Sequence, residues 1–130
     1  MALHPLAAWH QIVRSRDASQ LALLLADDVV FHSPVVHTPQ RGKAITLQYL
    51  AAAMRVFLGD SFHYVREFGG DHAAVLEFNV EIDGISVNGV DMLKWNEAGQ
   101  LVEFKVMLRP LKAVQLIHQK MATLLQESAR

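Results

Sequence analysis

Asp91 is the residue of this chain whose position most demands a chemical explanation. It stands in the series Ile85, Val87, Gly89, Asp91, Leu93 and Trp95, where every other member is apolar or glycine. Simple alternation puts all six on one face of a strand. An ionised carboxylate without partners on such a face costs several kcal/mol, so the group takes up a proton or finds a partner. Burial raises the pKa of a carboxyl group. A neutral acid in an apolar pocket can then donate a hydrogen bond to an oxyanion that develops on a carbonyl. The same series admits a purely structural account. A β-bulge near Gly89 shifts the register by one and turns Asp91 outward, and a buried aspartate can also simply be tied to backbone amides.

Other chemistries leave weaker marks. Seven histidines show no metal-ligand spacing, and His32 and His37, which flank Pro34, read as surface residues. There is no H-E-x-x-H, no phosphate-binding glycine loop and no nucleophile-base-acid arrangement. With no cysteine, thiolate nucleophiles, thiolate metal sites and disulfides are all removed. A metal site is not expected. Twelve Lys and Arg against thirteen Asp and Glu leave a net charge of -1, so no overall field draws nucleic acid or an anionic membrane to the chain. The opening M-A-L-H-P-L-A-A-W-H lacks a basic start before an unbroken apolar run, and no later stretch reaches about 18 apolar residues without charge. A cytoplasmic protein is the expectation.

The elements that must position Asp91 follow from hydrophobic period. At 130 residues and 52% hydrophobic content, residues 1–130 fit one domain with a sizeable core. Leu3, Leu6, Trp9, Ile12 and Val13 recur at helical spacing, with Trp9 directed inward. Asp17 and Gln20 suggest a capping box for a second helix carrying Leu21, Leu24 and Leu25, which ends at Asp27-Asp28. A short strand is then expected from Val29 to Ser33, stopped by Pro34. After Gly42, the set Ile45, Tyr49, Leu50, Ala53, Met54, Phe57 and Leu58 marks a helix that lies on a sheet and ends near Gly59.

From Phe62 the period changes to two. The segment Phe62 to Phe68 reads as a strand, and Leu76, Phe78, Val80 and Ile82 form the apolar face of the next. Asp83-Gly84 supplies a hairpin turn, the Asp91 strand follows, and Val102, Phe104, Val106 and Leu108 share a face beyond the turn Asn96 to Gly99. After Pro110, Leu111, Val114, His118, Met121 and Leu125 predict a last amphipathic helix. The architecture is therefore α+β, with helices packed on a strongly curved antiparallel sheet. Val90, Met92 and Met107 fall on the outward face, where a solvated sheet prefers charge, so a partner on that face is expected.

Two stretches carry a resemblance to a known family. Trp9 to Gly42, with A-D-D-V-V-F-H-S-P followed by Pro39 and Gly42, and Val87 to Gly99, through V-D-M-L-K-W-N-E-A-G, resemble the NTF2-like (cystatin-like) cone of ketosteroid isomerases and SnoaL-like cyclases. The resemblance implies a cofactor-independent pocket, a small apolar ligand with one or two oxygens, and a twofold homodimer formed through the outer sheet face. In the isomerases an aspartate base, a tyrosine and a protonated aspartate do the chemistry. Here the base position falls on Ser33, the tyrosine position on Trp9, and only the protonated acid is kept, as Asp91.

An unassisted serine hydroxyl is no base near neutral pH, which argues against ketosteroid isomerisation by that route. Asp91 as acid or base, helped by the Trp9 indole N–H, is left to polarise a carbonyl. The pocket implied by the resemblance is lined by Trp9, Phe31, Ser33, Tyr49, Met54, Phe78, Val80, Phe104 and Leu108. Two readings stand side by side: an isomerase, cyclase or hydratase acting on an apolar oxygenated metabolite, and a non-catalytic carrier or interaction module on the same scaffold.

Overall fold

A computed structural model of the chain describes residues 4–128; Leu3, assigned above to the first apolar stripe, lies outside the described residues. The order is helix α1 (Pro5–Ser15), a 3-10 turn (Ala18–Gln20), α2 (Leu21–Leu24), β1 (Leu25–His32), β2 (Gln40–Arg41), α3 (Lys43–Phe57), β3 (His63–Gly69), β4 (Ala73–Ile82), β5 (Ile85–Trp95), β6 (Leu101–Arg109) and α4 (Leu111–Ser128).

Local chemistry sets most of these boundaries. The His4 ring accepts from the Leu6 N–H at 3.1 Å and Pro5 fills the first helical position, so α1 begins with its free donors reduced. It stops at Arg16, whose backbone is left-handed and whose N–H returns to the Ile12 carbonyl. Asp17 accepts from the Ser19 N–H at 3.0 Å and starts the next turn. The helix expected to run on to Asp28 is only four residues long, because strand pairing captures the chain from Leu25: Leu25 faces Leu101 in β6. Asp83 and Gly84 both have positive φ, as a two-residue hairpin turn needs.

Six strands form one sheet in the order β2-β1-β6-β5-β4-β3. Neighbours pair antiparallel except β1 and β6, which run parallel, so the sheet is mixed. The β4–β5 ladder is unbroken from Ala73↔Lys94 to Ile82↔Ile85, so no bulge at Gly89 turns Asp91 outward. It keeps the inward direction of Val87 and Leu93 and is buried.

A bulge does occur in β3. Tyr64 faces Phe78 while Arg66 faces Glu77, which leaves Val65 as the extra residue. Tyr64 and Glu67, three positions apart, therefore both point to the helix side.

The core divides into two clusters. Trp9, Phe31, Leu50, Leu76, Leu93 and Phe104 centre the first; Phe57, Phe78, Val80, Val87, Ile117 and Met121 centre the second. Helix α4 buries Ala113, Ile117 and Met121, whereas Leu111 is 71% exposed and His118 also faces solvent. Its sequence carries two overlapping apolar stripes, and packing selects the one that includes the small Ala113. Lys120 then reaches Asp83 at 2.9 Å and ties α4 to the β4–β5 turn. On the far side of the sheet, Val75, Val90 and Met92 are half-buried, while Phe68 and Met107 are 63% and 52% exposed.

Gly89 is required by close approach. A Cβ there would lie 2.5 Å from Phe78 Cζ and 2.8 Å from the Met107 carbonyl oxygen, and the latter is backbone that cannot swing aside. Gly89→Ala is expected to lower stability by roughly 1–3 kcal/mol, read as a fall in the urea midpoint, with the near-UV aromatic signal changed as Phe78 is displaced.

Candidate functional site

Three polar side chains meet where the two core clusters abut. The Trp9 indole N–H donates to the Tyr64 hydroxyl oxygen at 2.9 Å, and the Tyr64 hydroxyl donates to Asp91 Oδ2 at 2.6 Å. They come from α1, β3 and β5, so the chain of bonds crosses the width of the layer. The β3 bulge makes the arrangement possible. It presents Tyr64 to Trp9 and Glu67 to the next residue of α1, His10, whose Nε2 lies 2.5 Å from Glu67 Oε1.

Direction in this chain is set by donor chemistry. An indole N–H can only donate, so the Tyr64 oxygen accepts from Trp9, and because an ionised carboxylate can only accept, the tyrosine proton goes to Asp91 when that group is charged. With the tyrosine hydrogen on Oδ2, a proton taken up by Asp91 sits on Oδ1. Oδ1 has no hydrogen-bond partner among the described residues. Asp91 thus has one oxygen held and one left for chemistry.

Burial dominates the electrostatics. Desolvation pushes the Asp91 carboxyl up to about 7, against the opposing pull of the Tyr64 hydrogen bond. Tyr64 is held far above the ordinary phenol range, first by burial and then by the negative charge that Asp91 carries when ionised. Tyr64 is therefore a fixed donor, and Asp91 is the group that titrates.

The cavity beside them is about 40 Å³ and is walled by Trp9, Leu50, Ala53, Met54, Phe57, Leu58, Phe62, Tyr64, Phe78, Asp91, Phe104 and Val106. Ligand sites are commonly about 300–1,000 Å³, so the space holds a few non-hydrogen atoms and no polycyclic skeleton. Phe62 and Phe78 lie tilted by 30° with ring centroids 5.1 Å apart along one wall, and Phe62 meets Tyr64 edge-on at the same distance.

Of the residues singled out from sequence, Asp91, Trp9, Met54, Phe78 and Phe104 come together at this cavity. Phe31 and Tyr49 pack on each other at 5.7 Å away from its walls. Val80 belongs to the second core cluster, and Leu108 packs against both. Ser33 lies just past the end of β1, where its hydroxyl accepts from the Val35 N–H at 3.1 Å. Trp9 differs from expectation in role. Its N–H is used by Tyr64, so it orients the donor to Asp91 and does not face a ligand oxygen.

Tyr64 itself, like Phe57, Phe62 and Val106, is absent from the pocket inferred from sequence. The available signal was the even spacing of Phe62 and Tyr64; the bulge after Tyr64 breaks the alternation that would have made it visible. Among the described residues no three His, Asp or Glu side chains converge on a metal position.

The sheet order, the helices laid on it and an acid buried at the open seam of the core define an NTF2-like, cystatin-like cone. The chain belongs to the SnoaL-like domain family, whose pattern it matches over residues 6–104. Its structure is similar to that of a steroid delta-isomerase from Pseudomonas aeruginosa, with 33% identity, 96% of this chain and 91% of that chain covered, and a TM-score of 0.91. It is also similar to an uncharacterized bacterial protein with a cystatin-like fold from Silicibacter pomeroyi DSS-3, at 30% identity, 93% and 85% coverage and a TM-score of 0.85. An NTF2-like protein of unknown function from Mesorhizobium loti shares the fold at 19% identity, 82% and 88% coverage and a TM-score of 0.70. No match is found among curated proteins. The chain thus shares its fold with a protein described as a steroid delta-isomerase and with proteins of unknown function.

The raised Asp91 pKa has a stability consequence of definite sign. An unfolded aspartate titrates near about 3.9, so between pH 4 and 7 the unfolded chain has lost a proton that the native state keeps. Stability attributable to Asp91 is then present below pH 4, falls as pH rises, and levels off above 7, by on the order of 4 kcal/mol in total. Asp91→Asn removes the charge and keeps an acceptor for Tyr64. Urea unfolding at pH 5 and pH 8 is expected to show the variant losing much less stability over that interval than the parent.

Proposed function

We propose that this protein is a cofactor-independent acid–base catalyst acting on a small apolar carbonyl compound, with Asp91 Oδ1 as the proton-transferring atom. The observation that carries the reading is the Tyr64–Asp91 bond in an apolar cavity. It holds one carboxylate oxygen, leaves the other open, and leaves the group with a pKa near neutrality, where an acid or base works best. Ionised Asp91 accepts a proton from carbon next to the carbonyl, and the protonated acid returns it to a second carbon or to oxygen. Isomerisation, cyclisation and hydration all draw on that step. Similarity to a steroid delta-isomerase supports proton transfer of this kind, while the cavity size favours a substrate much smaller than a steroid. Trp9 acts as a positioning residue through Tyr64.

The test is conversion of 3-cyclohexenone to its conjugated isomer, followed by ultraviolet absorbance. The parent protein should catalyse it, and Asp91→Asn should lower the rate by about 100-fold or more with ligand affinity changed little. If the ketone binds and neither protein turns it over, the carrier reading replaces the catalytic one.

The proposal extends to a twofold homodimer through the outer sheet face, supported by the exposed Phe68 and Met107 beside half-buried Val90 and Met92. Light scattering should give twice the chain mass for the parent and the chain mass for Met107→Glu. A monomeric parent would remove this part of the proposal.

A further inference from the structure

A second cleft, of about 260 Å³, lies against the Asp91 cavity, and the two share Leu58, Phe62 and Tyr64 as walls. Its character is opposite. Where the cavity is apolar, the cleft is lined by His10, Arg14, Arg16 and His63, a concentration of basic groups in a chain whose net charge is -1.

Most of these groups are already engaged. Arg16 donates to the Gly59 carbonyl at 3.4 Å and lies 3.8 Å from Asp60. His10 is taken by Glu67, and His63 Nδ1 lies 2.9 Å from the Ser61 carbonyl. Arg14 is different: it forms no hydrogen bond and no ion pair among the described residues. A planar guanidinium with its donors unused is matched by a carboxylate, which takes two parallel N–H bonds. Arg14 is the one guanidinium of the cleft lining outside any ion pair among the described residues, and a single guanidinium suits one carboxylate better than a dianionic phosphate.

The sizes lead to the same conclusion. The cavity holds only a few non-hydrogen atoms beside Asp91, so the remainder of any larger ligand must lie outside it. The neighbouring cleft is the adjoining space at the shared wall. An apolar cavity with Asp91 in its wall, beside a cleft with a free guanidinium and sharing with it the rim of Leu58, Phe62 and Tyr64, is complementary to an amphipathic molecule that spans that rim.

We infer that the substrate is an aliphatic or monocyclic oxo acid, its carbonyl end placed beside Asp91 and its carboxylate held by Arg14 in the cleft across Leu58, Phe62 and Tyr64. This rests on the reading of the Asp91 cavity as the reacting site. Arg14 selects the ligand and fixes its orientation; it takes no part in moving the proton. Discrimination comes from pairing a charge at the solvent-facing end, which leaves the cavity end free of any buried ion other than Asp91 itself.

The probes are 6-oxoheptanoate and its methyl ester, which differ in the charge of one end. Affinity is measured by calorimetry at low salt, and exchange of the protons beside the ketone is followed by NMR in heavy water. The acid should bind at least tenfold more tightly than the ester. Arg14→Gln should bring the ratio close to one, and Arg14→Lys should restore part of it. Arg14 is exposed at the end of α1, so the variants should fold as the parent does.

Equal affinity of acid and ester, a ratio that Arg14→Gln leaves unchanged, or no binding of the acid at millimolar concentration would each overturn the inference. Its failure is separable from failure of the catalytic reading. Asp91-dependent exchange at the same rate on acid and ester overturns the carboxylate site and leaves proton transfer standing. Arg14-dependent preference for the acid without Asp91-dependent exchange supports the carboxylate site and removes proton transfer.

Discussion

A carboxyl group inside an apolar cone has to be held by something, and in this protein it is held by one tyrosine hydroxyl. The Tyr64–Asp91 bond joins β3 to β5 across β4, and the Trp9–Tyr64 bond fastens α1 over both. A neutral acid with one donor fits this environment, whereas an ion with one donor is poorly served. The protonation state of Asp91, the closure of α1 on the sheet and the shape of the cavity are therefore parts of one arrangement.

The β3 bulge is the local device that permits it. Without the extra residue Val65, alternation from Tyr64 would send Glu67 to the outer face and leave His10 without its partner. Gly89 makes a parallel contribution on the other side of the site. By carrying no Cβ it lets the Phe78 ring lie over β5, two residues from Asp91, where it forms one wall of the cavity. The two core clusters meet at these residues without fusing, and the cavity is the seam between them.

Much of the fold was legible because its signals are strong and local. The period-two faces of β4 and β5, the Asp83-Gly84 turn and the long apolar stripe of α3 each follow from a few adjacent residues, whereas in β6 a register shift at Val102 makes Leu101, not Val102, the buried residue opposite Trp95. The readings that shifted all depended on partners distant in sequence. Leu25 to Asp28 join a strand because β6 is there to pair with, and α4 buries Ala113 in preference to Leu111 because of what lies beneath it. At the site, Asp91 stood out as a charge in an apolar series, but its partner Tyr64 is 27 residues away in sequence, in the strand with the faintest pattern.

The amino-acid sequence by itself determined the α+β architecture, the inward direction of Asp91 given an unbroken ladder, and the replacement of the expected base by Ser33. The first two depend on composition and short-range period, and the third on the family resemblance. Only the tertiary structure decided that the ladder is unbroken at Gly89, that Tyr64 is the donor to Asp91, that the Trp9 N–H is used up in holding Tyr64, and that an unpaired Arg14 lies in the cleft next door. The physical reason is that register, bulges and the apposition of side chains from separate elements are settled by packing and hydrogen-bond satisfaction over the whole molecule, and no window of neighbouring residues contains them.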